Sequence, residues 1–132
     1  MDDQTQGVPE DDRERLMRNI RAAEQGDPGA QATLGIMYAQ GQGVSEDPEE
    51  AAKWLAKAAE QGEIDGRLYL GAMYAQGRGV SRNYVEAYKW SSLAAAQGDG
   101  HARENLEDLK EEMSEEQIAE AEGLIRIFEA GE

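Results

Sequence analysis

Few residues of this chain could carry out catalytic or redox chemistry. Its 132 residues include no cysteine and one histidine, His101. The chain therefore has no thiol nucleophile, and a transition-metal site would lack most of its usual ligands. His101 has no serine or cysteine partner in a recognisable catalytic arrangement. The sequence predicts that the protein is not an enzyme and that it binds no cofactor and no metal.

Three further motifs could be read as ligand sites. The motifs GQG at 41–43 and GRG at 77–79 look like phosphate loops, but no strand pattern precedes them, so we interpret them as turns. The acidic run at 111–116 lacks the spaced oxygen ligands and turn glycine of a calcium loop, which favours a solvated helix junction. Four aromatic residues could form a ligand cage, yet they recur at a fixed interval, which favours a role in the core. They are Tyr38, Tyr74, Trp54 and Trp90.

The charge is strongly negative and is concentrated at the two ends. The net charge is −15, and residues 1–14 and 104–132 together hold seventeen acidic and three basic residues. Nucleic acids and anionic membranes are bound through Lys and Arg clusters, so neither is an expected partner. The first twelve residues do not resemble a signal peptide. The chain as written is expected to be cytoplasmic, or periplasmic or secreted if a signal peptide was removed, and the sequence leaves this open.

The chain contains an internal repeat with a period of 36 residues. The stretch LGIMYAQGQGVS that begins at Leu34 returns as LGAMYAQGRGVS at Leu70, and eighteen of 36 positions are identical between the two units. The register extends outward as a trailing half-repeat before the units and a leading half-repeat after them. We therefore predict an acidic disordered N-terminus at 1–8, a half-repeat cap at 9–26, full repeats at 27–62 and 63–98, and a closing half-repeat with a capping helix at 99–132.

Each unit is predicted to contain two helices. Asp27 followed by Pro28 is typical of a helix start, and Gly41 is typical of a helix end. Gly35 and Gly71 fall in the middle of predicted helices, which costs roughly 1 kcal/mol each against alanine and indicates close backbone contact with the paired helix. The predicted helices lie near 9–25, 28–40, 48–61, 64–76, 84–97, 100–112 and 115–130.

The two ends are predicted to be caps. Arg15 and Arg18 occupy the positions where the full units have Ala51 and Trp54, so the first helix should present a solvated face. Near the other end, Ser114 and Gln117 fit a capping box that opens a last helix. Ile118, Ala121, Ile125 and Phe128 lie on one face of that helix, and we expect them to pack on the preceding helix through Leu106, Leu109 and Met113.

These motifs resemble the SEL-one-like repeat family, whose members are related to tetratricopeptide repeats. The pattern LGxxYxxGxGV, followed by AxxW and a closing glycine, is present in both units. The resemblance implies an all-α fold, an α/α solenoid (superhelix) of stacked two-helix repeats with about seven helices. It also implies an adaptor or scaffold that binds a peptide or helix of a partner protein on its concave face. The identity of that partner is unknown.

The same resemblance implies which residues form the concave face, because the first helices of the repeats line it. The candidate protein-binding residues are Ala32, Ile36, Gln40, Leu68, Tyr69, Ala72 and Gln76. The units differ most where Ala32 and Thr33 become Leu68 and Tyr69, so partner specificity could reside there. Two alternatives stay open. A cysteine-rich branch of the family has β-lactamase-like hydrolases, which the lack of cysteine disfavours, and the chain could be a structural fragment or an engineered repeat protein.

Overall fold

A computed structural model describes residues 12–131 of the protein. These residues form seven α-helices and no β-strand, which confirms the predicted all-α solenoid. The predicted N-terminal disorder at 1–8 and the start of the first predicted helix at 9–11 lie outside the described residues. The helices are α1 (Asp12–Glu24), α2 (Pro28–Gln40), α3 (Pro48–Glu60), α4 (Ile64–Gln76), α5 (Tyr84–Ala96), α6 (Gly100–Glu112) and α7 (Glu115–Ala130).

Local capping interactions set the ends of these helices. The side chains of Asp47 and Asn83 each accept a hydrogen bond, at 3.1 Å, from the backbone N–H three residues later. Ser114 and Gln117 form the predicted capping box at the start of α7. Gly41 ends α2 in the left-handed conformation, with φ of 71°, which glycine adopts without a steric penalty. The helix boundaries therefore follow from signals that are local in the sequence.

The helices stack as successive pairs. Helix α2 packs on α3 and α4 packs on α5, while α3 and α5 contact the first helix of the following pair. Helix α2 also contacts α4, and α4 contacts α6, so these three helices follow one another along one side of the array. Helix α1 packs on α2, and its Arg15 and Arg18 are exposed, as predicted for a capping helix.

The mid-helix glycines mark the closest approach within each pair. A Cβ atom added to Gly35 would lie 2.6 Å from Cγ of Leu55, and one added to Gly71 would lie 2.8 Å from Oγ of Ser91. The backbone carbonyls of the facing helices lie at 3.2 and 3.3 Å from the same positions. Neither glycine position has room for a methyl group, which confirms the close contact between paired helices that the sequence predicts.

The main core cluster spans both full units. Leu55, Leu70, Met73, Trp90 and Leu93 are at most 4% exposed and belong to one cluster of buried side chains. Since this cluster joins residues of α3, α4 and α5, the units share a continuous core. Neither unit buries its apolar face alone, as expected for a repeat protein.

Helix α7 makes the contacts that the sequence predicts and a larger one that it does not. Leu109 and Met113 share a second buried cluster with residues of α7, as expected. The principal neighbour of α7 is however α5 and not α6. The ring of Phe128 packs edge-on against Trp90, with 5.3 Å between the ring centroids. Because α5 offers large aromatic surfaces, α7 also folds back over α5, a contact that the sequence did not predict.

The two repeated tryptophans also have different environments. Trp90 is 4% exposed beneath Phe128, whereas Trp54 is half-buried. The indole N–H of Trp54 donates to Glu50 at 3.1 Å, and the ammonium group of Lys57 lies 4.8 Å from its ring centroid. Trp54 therefore lies at the surface of α3, and its interpretation as a core residue is wrong.

Candidate peptide-binding groove

The predicted binding residues fall into two groups, and those on α2 do not form a cavity. Ala32 is 2% exposed, so it offers a partner almost no surface, and its assignment as a contact residue is withdrawn. Ile36 is half-buried and packs against the main core cluster, and Gln40 is exposed. None of the three lines either of two adjoining cavities between the neighbouring helix α4 and α6.

The predicted residues on α4 line the first of these cavities together with α6. Leu68, Tyr69 and Ala72 face His101 and Asn105 across a cavity of about 210 Å³. The side chains of Leu68 and Tyr69 are partly exposed, so this cavity has an apolar wall that a ligand can reach. The two residues that distinguish the units most strongly therefore lie together at one surface.

A second cavity of about 250 Å³ adjoins the first, because both are lined by Ala72 and Asn105. We call the two cavities together the α4–α6 groove. Helix α4 contributes Gly71, Ala72, Ala75 and Gln76 to the second cavity, α5 contributes Tyr84 and Ser91, and α6 contributes Asn105, Asp108, Leu109 and Glu112. The structure thus places Leu68, Tyr69, Ala72 and Gln76 along two adjoining cavities.

Ser91 forms part of the wall of the second cavity and was not identified from the sequence. Its side chain is 1% exposed, and its hydroxyl has no hydrogen-bond partner. The signal for this site lies in the repeat, because Leu55 occupies the corresponding position of the first unit. A change from leucine to serine at a buried position that faces a glycine removes volume and adds a polar atom.

The charged groups around the second cavity are all acidic. Asp108 and Glu112 are exposed side chains on α6 that line this cavity together with the exposed Gln76 of α4. None of the residues that line this cavity is basic. The groove therefore changes from an apolar wall at Leu68 and Tyr69 to an acidic rim at the other end.

The groove does not have the arrangement of a hydrolytic site. Since the hydroxyl of Ser91 has no hydrogen-bond partner, no general base activates it. Ser91 and His101 also line different cavities. Among the side chains described, no group of three or more His, Asp or Glu residues is placed to hold a metal ion. Within 12–131, no helix is both long and apolar enough to cross a membrane.

Comparison with protein families identifies the family of the repeat. The model of the Sel1 repeat matches residues 28–63 and 64–99. The chain belongs to the Sel1 repeat family. Comparison with curated proteins gives no match.

Two solved structures have the same fold. The protein c5321, a protective antigen of uropathogenic Escherichia coli that displays an SLR fold, is 33% identical, with a TM-score of 0.84 over 89% of this chain and 26% of its own. A Sel1 repeat protein from Oxalobacter formigenes is 41% identical, with a TM-score of 0.70 over 71% of this chain and 27% of its own. The chain therefore spans about a quarter of each of these proteins, and the comparison supports the fold more than any particular activity.

Proposed function

We propose that this chain is a protein-interaction module that binds a peptide or helix of a partner protein in the α4–α6 groove. The observation that carries the proposal is that two adjoining cavities lie between α4 and α6. Two adjoining cavities of about 250 and 210 Å³ extend along α4. Four of the residues predicted to bind a partner line them, namely Leu68, Tyr69, Ala72 and Gln76. Elongated grooves between helices suit an extended or helical segment that places successive side chains in successive pockets.

The apolar wall supports a role in binding. Leu68 and Tyr69 replace Ala32 and Thr33 of the first unit, so the repeat pattern does not require them. Both side chains are partly exposed and line the groove. A tyrosine beside an aliphatic residue in a concave pocket is typical of the residues that contribute most to peptide binding. The acidic rim favours a protein partner over a nucleic acid, whose phosphates it would repel.

We also propose that the chain itself catalyses no reaction. The Sel1 repeat fold is a scaffold that is generally non-catalytic, and the buried hydroxyl of Ser91 lacks an activating base. The measurement is hydrolysis of a β-lactam and of an activated ester by purified protein, compared with the His101→Ala variant. We expect no turnover above the buffer rate. Turnover that is abolished by His101→Ala would contradict the proposal.

The binding proposal can be tested with displayed peptides. We would select random twelve-residue peptides on phage against the protein and measure the Kd of synthetic peptides by calorimetry. Leu68→Ser should weaken binding by at least ~1 kcal/mol, about fivefold in Kd, because it removes an apolar contact from the groove. Ile127→Ser is the matched control, since Ile127 is 71% exposed on α7 and outside the groove. This control should bind as tightly as the unchanged protein.

Two results would overturn this proposal. The first is that no peptide is enriched, as expected if the chain is only a structural fragment of a longer array. The second is that Leu68→Ser and Ile127→Ser bind the selected peptides equally well, which would place the binding surface elsewhere.

A further inference from the structure

Glycines in the interior of these helices mark close contacts between helices, with one exception. Three glycines lie more than one turn from either end of a described helix, namely Gly35, Gly71 and Gly123. An added Cβ atom at Gly35 or Gly71 would lie 2.6 or 2.8 Å from a side chain of the paired helix. At Gly123 it would meet only Nη2 of Arg126, on the same helix, at 3.8 Å. Glycine destabilises a helix interior relative to alanine, and no contact within the described chain explains it at Gly123.

The surface of α7 that carries Gly123 is turned away from the repeats. Gly123 and Ile127 each follow, by two residues, a residue that packs against the core clusters, namely Ala121 and Ile125. Two residues correspond to about 200° around a helix, so Gly123 and Ile127 lie on the opposite side. Ile127 is 71% exposed, more than any other large apolar side chain described. We call the surface formed by Gly123, Arg126 and Ile127 the outer face of α7.

The outer face has both parts of a close helix contact. Within the α2–α3 pair, Gly35 provides the space and the aliphatic side chain of Leu55 occupies it. On α7, the glycine and the exposed aliphatic residue are four residues apart, so they lie one turn apart on the same side of one helix. A two-fold interface uses the same surface of both copies, and each pair of contacts occurs twice. With a two-fold axis midway between Gly123 and Ile127, two antiparallel α7 helices would place each Ile127 against the other copy's glycine.

We infer that the outer face of α7 is an interface between two copies of this chain, which pack their α7 helices antiparallel with Ile127 of each copy against Gly123 of the other. The charges on α7 are compatible with this arrangement. Arg126 is the one basic residue of α7, which also has five glutamates. Its guanidinium is exposed and makes no hydrogen bond or ion pair with any residue in 12–131. The antiparallel arrangement brings Glu122 of the second copy alongside Arg126, because both lie on the same flank within one turn of the two-fold axis.

The length of α7 sets the strength that we expect. A helix of 16 residues is about 24 Å long, so two such helices form an interface smaller than the standard size of stable complexes. We therefore expect a weak, reversible dimer, with a Kd of roughly 10 to 500 µM. No residue of α7 lines either cavity of the α4–α6 groove. The inference therefore concerns a different surface and does not depend on the proposed function.

The experiment is sedimentation equilibrium of the purified chain over a wide range of concentrations. The salt concentration should be about 150 mM, where the Debye length is about 8 Å, because the net charge of −15 repels a second copy at low salt. The decisive variant is Gly123→Ala, whose methyl group would separate the two helices. It should weaken dimerisation at least tenfold, while the Tm of the monomer stays unchanged or rises, because alanine favours the helix.

Three further variants test the contacts. Ile127→Ser should weaken dimerisation at least tenfold, whereas Met17→Ser, at a 47% exposed position on α1, should leave it unchanged. Arg126→Glu should weaken it at least threefold, and the addition of Glu122→Arg should restore it, because the pair of charges is then exchanged. Arg21→Glu makes the same change of net charge on an exposed side chain of α1 and should have no effect. Circular dichroism should show an unchanged helix content in every variant.

Two results would overturn the inference. The first is a chain that stays monomeric at every concentration up to about tenfold above the expected Kd. The second is a dimer whose Kd is the same in Gly123→Ala and Ile127→Ser as in the unchanged chain, which would place the interface elsewhere. Either result would leave the peptide-binding proposal intact, since that proposal is tested by peptide affinity and by Leu68→Ser.

Discussion

Two junctions of this molecule are built from corresponding residues of the repeat, yet one is closed and the other is open. The first junction lies where α2, α3 and α4 meet and holds Ile36, Leu55 and Tyr69. The second lies where α4, α5 and α6 meet and holds Ala72, Ser91 and Asn105. The glycines that bring the helix pairs together are the same in both. The comparison teaches that the fixed positions of the repeat build the scaffold, while the variable positions decide whether a junction is filled by side chains or left open as a cavity.

The largest effect that we predict concerns the two repeated tryptophans. Trp90→Ala should lower the free energy of unfolding by about 3 to 5 kcal/mol, because it leaves a large cavity beneath Phe128. Trp54→Ala should lower it by only about 1 kcal/mol, because that side chain is already partly solvated. Equilibrium unfolding in urea, followed by circular dichroism, measures both. Equal losses would show that the two units do not differ as described.

The next effect is obtained by opening the closed junction. Leu55→Ser gives the first unit the residue of the second, and it should lower the free energy of unfolding by about 3 kcal/mol or more, as expected for loss of a fully buried leucine. The same urea titration gives the value. A loss below about 1 kcal/mol would mean that the first junction tolerates a cavity and a hydroxyl, so that the two junctions are equivalent.

A smaller effect distinguishes two neighbours on α4. Tyr69 packs against the main core cluster and also lines the groove, whereas Leu68 lines the groove without belonging to that cluster. Tyr69→Ala should therefore lower the free energy of unfolding by about 2 kcal/mol, and Leu68→Ala should lower it by less than about 1 kcal/mol. Thermal unfolding of the two variants compares them directly. The reverse order would place Leu68 in the core and remove it from the surface that we propose binds a partner.

The fold could be predicted almost completely because its signals are local. The caps at Asp47, Asn83 and Ser114 and the glycine at 41 determine helix ends from a few neighbouring residues, and the 36-residue period supplies the stacking. The position of α7 could not be predicted in the same way. Phe128 could pack on either α5 or α6. Its contact with Trp90 of α5 depends on an aromatic surface that forms only when the repeats are stacked.

The groove could be predicted only in part. Leu68, Tyr69, Ala72 and Gln76 were assigned from the family resemblance, which implies that the first helices of the repeats line the concave face, and Leu68 and Tyr69 were also singled out because they differ from Ala32 and Thr33. Ser91 was missed because the repeat was defined by the positions that are identical in the two units, and Ser91 lies at a buried position that differs between them. The replacement of Leu55 by Ser91 is visible in the sequence. Its consequence, a cavity, depends on Asn105 and Ala72 being small at positions that only the folded array brings together.

The stability of Ser91→Leu tests the central claim most directly, because it asks whether the second junction has room for the residue that fills the first. We predict that Ser91→Leu raises the free energy of unfolding by about 1 kcal/mol, since it fills a cavity and removes an unpaired buried hydroxyl. Ser92→Leu, measured beside it in urea, should change stability by less than about 0.5 kcal/mol. A decrease of 1 kcal/mol or more for Ser91→Leu would show that the junction is already filled and would contradict the account.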